Sequence, residues 1–127
     1  MTEWINEIQS RGIGEISISS VDNDGLKKGF NYKLFSTIKN KCNIKVPILF
    51  GSGAGDENHI VEFLKKNNVD GITLGAILHY NNLDKNDEVN SLEGNRFFLE
   101  THKPSNRSIT IKSIKNTLLK NKLEVRI

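Results

Sequence analysis

Three short stretches hold the residues whose types and spacing could do chemistry: Asp22-Asn23-Asp24-Gly25, Gly51-Ser52-Gly53-Ala54-Gly55 and Gly75-Ala76. The second follows an apolar run, Ile48-Leu49-Phe50, and precedes Ile60, Phe63 and Leu64 at helical spacing, with Asp56 as the expected helix cap. Glycines remove side chains where a backbone must turn sharply or let a ligand approach. A helix start adds unpaired N–H groups and a partial positive charge. Together these suit an anion, and phosphate is the usual occupant. The same stretch also serves as a tight strand-to-helix turn that holds nothing, and one glycine-rich turn leaves both readings open. His79 invites an acid–base role; the competing role is a hydrogen bond to backbone at a strand end. His59 is expected on an exposed helix position. With His102 the three histidines show no regular spacing, which predicts no metal site. Cys42 is the only cysteine, so no intramolecular disulfide or cysteine metal site can form, and its place in an apolar helical pattern predicts a core thiol. No cofactor is expected.

The elements that must position these residues follow from periodicity. Residues 2–11 put Trp4, Ile5 and Ile8 on one helical face, with Thr2 as a candidate cap and Gly12 and Gly14 as the stop. Residues 15–21 alternate strictly, Ile16 and Ile18 against Glu15, Ser17 and Ser19, which predicts a strand. Leu34, Phe35, Ile38 and Cys42 recur at helical spacing. Pro47 opens a second strand, 47–50, and Gly71 opens a third, read as 71–78. Helices and strands that alternate through short connections imply right-handed crossovers and a parallel sheet, an α/β class. Parallel sheets bind ligands beyond the carboxyl ends of their strands, where all three chemical stretches lie. Residues 81–107 are polar and mixed in charge around Phe97, Phe98 and Leu99, and read as an insertion or lid. A last helix follows, with Ile111, Ile114 and Leu118 on one face and Ser105 or Ser108 as its expected cap, before Leu123-Glu124-Val125-Arg126-Ile127.

The chain has 127 residues, 36% hydrophobic and 26% charged, enough for one ordinary domain. The net charge of +3 comes from lysines scattered among acids, without a basic stripe, which argues against nucleic acid as a partner. No apolar run reaches the roughly 20 residues of a membrane-spanning helix, and no secretory signal opens the chain. A cytoplasmic setting without membrane contact is the expectation.

Taken in order, Gly12 to Asn31 with its Asp22-to-Gly25 turn and Gly29, Val46 to Gly55, and Val69 to Tyr80 resemble the C-terminal part of the cyclase subunit of imidazole glycerol phosphate synthase, a (β/α)8 barrel. The resemblance covers about 100 residues, leaves out 81–107 and resumes in the last helix. It implies residues 1–127 as a partial TIM-barrel domain: three parallel strands with flanking helices and an insertion before the last helix. The family joins ammonia to a phosphorylated ribulosyl precursor and closes an imidazole ring, and a glutaminase subunit supplies the ammonia through the barrel. On this resemblance Gly51, Ser52 and Gly53 with Gly75 and Ala76 bind a substrate phosphate, Ser19 and Asp24 line the pocket, and Glu15 stands on the ammonia path. A salt bridge at a strand start is the other reading of Glu15. Two departures stand out: the order of Gly51 and Ser52 is inverted, and Ala76 replaces a serine.

The family's two catalytic aspartates sit at the ends of the first and fifth strands, outside the part resembled here, so no catalytic residue is assigned. Asp22 and Asp24 lie on another strand's loop and cannot replace them. Three strands do not close a barrel of about 250 residues, so the chain is expected to be a fragment that is inactive alone and joins the missing N-terminal part or itself. Two other functions stay open. One is a divergent paralogue that delivers ammonia to a nucleotide sugar in surface-polysaccharide synthesis; the other is a non-catalytic phosphate-binding α/β fragment. A complete flavodoxin-like domain is disfavoured, since that sheet takes about five strands.

Overall fold

The computed structural model describes residues 1–80 and 109–126. The insertion read at 81–107, with Phe97, Phe98, Leu99 and His102, lies outside the described residues, as do Ser105, Ser108 and Ile127.

Three strands, β1 (Ile16–Ser19), β2 (Ile48–Gly51) and β3 (Gly71–Thr73), form one parallel sheet in the order β1-β2-β3. Helices precede each strand: α1 (Thr2–Ser10), α2 (Tyr32–Lys41) and α3 (Glu57–Lys66). This is the architecture of consecutive strand–helix units of a (β/α)8 barrel. Register explains the two faces. Ile16 pairs with Ile48, Ile18 with Phe50 and Phe50 with Ile72, so one face is a continuous apolar surface. Ser17 pairs with Leu49 and Leu49 with Gly71; Ser19 pairs with Gly51 and Gly51 with Thr73. The second face is therefore small and largely polar.

Aromatic rings fill the space between the apolar face and the helices. Phe63 of α3 stacks on Phe50 of β2 at 5.2 Å between centroids, with planes 6° apart. Phe30 lies 4.6 Å and Phe35 5.2 Å from the same ring. Phe35 also meets Phe50 edge-on at 5.1 Å. Tilted and edge-on contacts of this kind are the favoured aromatic geometries, each adding about 0.5–1.5 kcal/mol beyond area burial. Asp70 pins β3 to β2: its carboxylate accepts from Ile48 N–H at 2.8 Å, and its own N–H donates to the Ile48 carbonyl at 3.0 Å.

Several expectations are corrected. The third strand stops at Thr73, and Ala76–Tyr80 form a short helix, α4, whose first turn closes on the Gly75 carbonyl from Leu78 N–H and His79 N–H. His79 is thus helical and exposed, not at a strand end. A short apolar run has no period of its own, so strand and helix look alike there. The last helix, α5 (Ile111–Lys120), is capped by Thr110 and not by Ser105 or Ser108: Thr110 Oγ1 accepts from Ser113 N–H, and Ser113 Oγ accepts from Thr110 N–H. Ile114 and Leu118 are buried there, while Ile111 is 58% exposed. At the N-terminus the cap of α1 is Met1, without a side-chain bond, and Thr2 already lies inside the helix. Ile5 is buried, but Trp4 is 56% exposed, with the Arg11 guanidinium 5.8 Å from its ring centroid. Arg11 also pairs with Glu7. Cys42 is buried, as expected, but it ends α2 instead of continuing it. Among the described residues, no helix is long and apolar enough to cross a membrane.

Candidate functional site

The carboxyl ends of all three strands open onto one cavity of about 280 Å³. Ser19 lines it from the end of β1 and Asp24, Gly25 and Lys27 from the loop that follows; Ser52, Gly53 and Ala54 from the turn after β2; and Thr73, Leu74, Gly75, Ala76 and Ile77 from the end of β3 and the start of α4.

The loop after β1 is held from within. A 3₁₀ turn, Val21–Asn23, leads off the strand. Asn31 caps α2 through Leu34 N–H at 2.9 Å, and its amide donates to buried Ser20 Oγ at 3.0 Å. Ser20 in turn donates to Asn23 Oδ1 at 3.1 Å, and the Asn23 amide reaches the Gly29 carbonyl at 3.0 Å. Gly29 N–H donates to the Gly53 carbonyl at 2.8 Å. This chain of bonds fastens the first loop to the glycine turn, so the two lobes of the cavity are positioned together.

The glycine turn depends on absent side chains at Gly51, Gly53 and Gly55, the last of which faces the Lys27 carbonyl. Gly53 has φ +96°, and a Cβ there would run into the Gly29 carbonyl oxygen. Gly51 ends β2 between Ser19 and Thr73; a Cβ there would occupy the place of Thr73 Oγ1. The Thr73 hydroxyl therefore uses the space that the missing Gly51 side chain leaves, with Ser19 on the other side of Gly51 across the sheet. Ser52 also adopts a left-handed conformation, φ +76°, as does Lys27 at φ +57°. Such conformations are unusual for residues with a Cβ and cluster where function constrains the backbone.

The start of α3 closes the turn. Asp56 Oδ1 accepts from His59 N–H at 2.9 Å, the expected cap. His59 departs from its expected exposed position: its side chain is 29% exposed, its ring packs beside Gly29, and Nδ1 accepts the Gly55 N–H at 3.1 Å. The next residue, Glu57, is buried in the first turn of the helix, where the helix dipole favours a carboxylate.

Of the residues singled out in the sequence, Ser19, Asp24, Ser52, Gly53, Gly75 and Ala76 line the cavity. Gly51 does not; it lies just below, in the strand. Glu15 precedes β1 at the other end of the sheet and is exposed. Sequence reasoning missed Lys27 and Thr73. Two lysines between Gly25 and Gly29 were the signal for the first, and period-2 alternation from Gly71 was the signal for the second. Lys27 brings the cavity its basic group, opposite in sign to Asp24. Burial lowers the pKa of its amine from the ordinary lysine value, because a low-dielectric setting disfavours the charged form. An anion beside it would reverse that effect. Among the described residues no group of three or more His, Cys, Asp or Glu is placed to hold a metal ion.

Comparison with known proteins places the chain in a family. A family model described as "Histidine biosynthesis protein" matches residues 1–84. Imidazole glycerol phosphate synthase subunit HisF of Buchnera aphidicola subsp. Acyrthosiphon pisum (strain APS) is 36% identical over 80 residues, 63% of this chain and 30% of that protein. The protein of the same name from Vibrio campbellii is 35% identical over 77 residues, 61% of this chain and 29% of that one. For Methanococcus maripaludis (strain C5) the figures are 33% over 93 residues, 73% and 34%. The matched stretches thus take in about a third of the length of these relatives.

Proposed function

Because the chain belongs to the histidine biosynthesis protein family, we propose that it acts as a segment of the cyclase subunit of imidazole glycerol phosphate synthase. Its cavity at the strand ends would receive one phosphate of the ribulosyl substrate. The observation that carries this reading is the convergence of three strand-end loops on one cavity holding Ser19, Lys27, Gly53, Thr73 and Gly75.

In this reading the backbone of Ser52, Gly53, Gly75 and Ala76 lies close to the phosphate, because glycine and alanine leave no bulk in the way. Lys27 supplies charge, and the Ser19 and Thr73 hydroxyls supply donors that rotate to suit the oxygens. Gly51 acts from below by leaving room for the Thr73 hydroxyl. Asp24 accepts from a substrate hydroxyl at the same mouth. The departure at Ala76 removes one hydroxyl, and Thr73 offers one nearby on the same wall. Ring closure itself requires proton transfers by acid and base groups, each worth typically about 10²–10⁴-fold. The part of the family resembled here carries neither catalytic aspartate, so this segment binds and orients. Ammonia from a glutaminase partner would pass along the small polar face of the sheet, with Glu15 at its entrance and Ser17 and Ser19 along the way. The outer strands β1 and β3 would pair with further strands of the barrel or with a second copy of the chain, in a cytoplasmic enzyme.

Titration of the 127-residue chain with inorganic phosphate, followed by amide NMR, tests the reading. Shifts are expected at Ser52, Gly53, Gly75 and Lys27, together with no ammonia-dependent turnover of the ribulosyl substrate. Unmoved amides at tens of millimolar phosphate would overturn the phosphate site, and turnover by the isolated chain would overturn the division of labour.

A further inference from the structure

Among the described residues, His59 is the one imidazole built against the turn that frames the cavity. Its backbone N–H is held by Asp56, its ring lies against Gly29 at 3.7–3.9 Å from where a Cβ would stand, and its Nδ1 accepts the Gly55 N–H at 3.1 Å. The ring thus touches both loops that Gly29 N–H and the Gly53 carbonyl join. An imidazole nitrogen accepts a hydrogen bond only while it carries no proton. We propose that His59 is a positioning residue whose unprotonated Nδ1 locks the Gly51–Gly55 turn against the Lys27–Gly29 loop, so that gaining a proton loosens the turn and weakens anion binding in the cavity. The anion half of this statement rests on the phosphate reading above; the lock itself does not.

Charged groups approach the ring from its own helix and from the facing loop. On its own helix the Asp56 carboxylate oxygen lies 4.0 Å from Nδ1, with Glu62 three residues further on. From the facing loop, the Lys27 carbonyl and Cβ crowd Gly55, and Lys28 adjoins Gly29. Once protonated, Nδ1–H becomes a donor. It can no longer take the Gly55 N–H, and Asp56, the nearest acceptor, is drawn from its capping bond. One proton therefore acts on two hydrogen bonds of the same turn. Imidazole is the side chain whose ordinary titration falls in the range where this matters, about pH 5 to 8.

The test follows the protection of the Gly55 amide against hydrogen exchange in the full chain at pH 7.5 and 5.5, alongside sulfate affinity, since sulfate keeps its charge over that range. Wild type should protect Gly55 at pH 7.5 and lose that protection at pH 5.5. Sulfate affinity should fall about three- to tenfold over the same interval, the weight of one net hydrogen bond. His59→Asn, whose Oδ1 accepts in place of Nδ1 and does not titrate, should keep protection and affinity at both pH values. His59→Leu should lose protection at both. Protection in wild type that ignores pH, or that survives in His59→Leu, overturns the lock. A pH-dependent lock with a flat sulfate affinity overturns its link to the ligand. If sulfate fails to bind at every pH, the phosphate reading and the ligand link fall together, and Gly55 exchange still decides the lock.

Discussion

The two faces of the three-stranded sheet obey opposite rules. On the helix side Ile16, Ile18, Ile48 and Phe50 meet Phe35 and Phe63, and the largest side chains are the most deeply buried. On the other side Ser17, Ser19, Gly51, Gly71 and Thr73 offer little volume and several hydroxyls. The first face stabilises by area and close packing, which tolerate no loss of volume. The second gains little from burial, and so is free to be shaped for a ligand. In the loops beyond the strand ends the backbone carries left-handed residues, among them Lys27, Ser52 and Gly53. The lesson is a division of labour within single strands: alternate residues of β1 face the packed core and the open, hydroxyl-bearing side in turn.

The largest expected effect lies on the packed face. Phe63→Ala leaves a void among Phe30, Phe35 and Phe50 and should cost about 3–5 kcal/mol, read from urea unfolding. A cost under about 1 kcal/mol would show that the ring cluster is not the core. Next is the junction. Gly53→Ala forces a Cβ onto the Gly29 carbonyl at a φ that side chains disfavour, and should cost about 1–3 kcal/mol and abolish phosphate binding. A variant that binds phosphate normally would separate the glycine turn from the ligand. Asp56→Ala removes the α3 cap and should cost about 1 kcal/mol, with reduced phosphate affinity, because the same turn frames the cavity.

The smallest effects on stability lie on the open face, where the comparison sharpens. Lys27→Met should weaken phosphate binding yet leave unfolding within about 0.5 kcal/mol of wild type. Its small shift should be stabilising, because burial disfavours the protonated amine in the folded chain. The sign follows from linkage. With the folded pKa lowered, the unfolded chain binds more protons as pH approaches the ordinary lysine value from below, so Lys27 makes wild-type stability rise with pH in that window. Stability measured against pH for both proteins should show that slope in wild type and a reduced slope in Lys27→Met. A strongly destabilised Lys27→Met would place this lysine among structural residues.

Much of this was legible from residue types alone. Alternation around Ile16 and Ile18 identified β1 and its two faces, Asp56 marked the start of α3, and the glycines marked the turn. Local rules suffice there because cap, period and turn act within a few residues. The eight residues from Gly71 to Leu78 misled for the same reason: strand and helix were both consistent with the pattern, and Gly75 divides them only once Leu78 and His79 fold back onto its carbonyl. His59 looked like surface because its partners, Gly55 and Gly29, come from a turn and from a loop thirty residues upstream.

By itself, then, the sequence determined the alternation of α1, α2 and α3 with β1, β2 and β3, the family, and the residues that end β1 and β2, since these depend on spacing along the chain. Tertiary structure decided which of those residues share a cavity. It placed Lys27 and Thr73 beside Ser19 and Gly53, put Gly51 beneath the cavity floor where it leaves room for the Thr73 hydroxyl, and turned His59 inward. Contacts between loops separated by tens of residues leave no period in the sequence; only the parallel register and the bonds joining Gly29 to Gly53 bring them together.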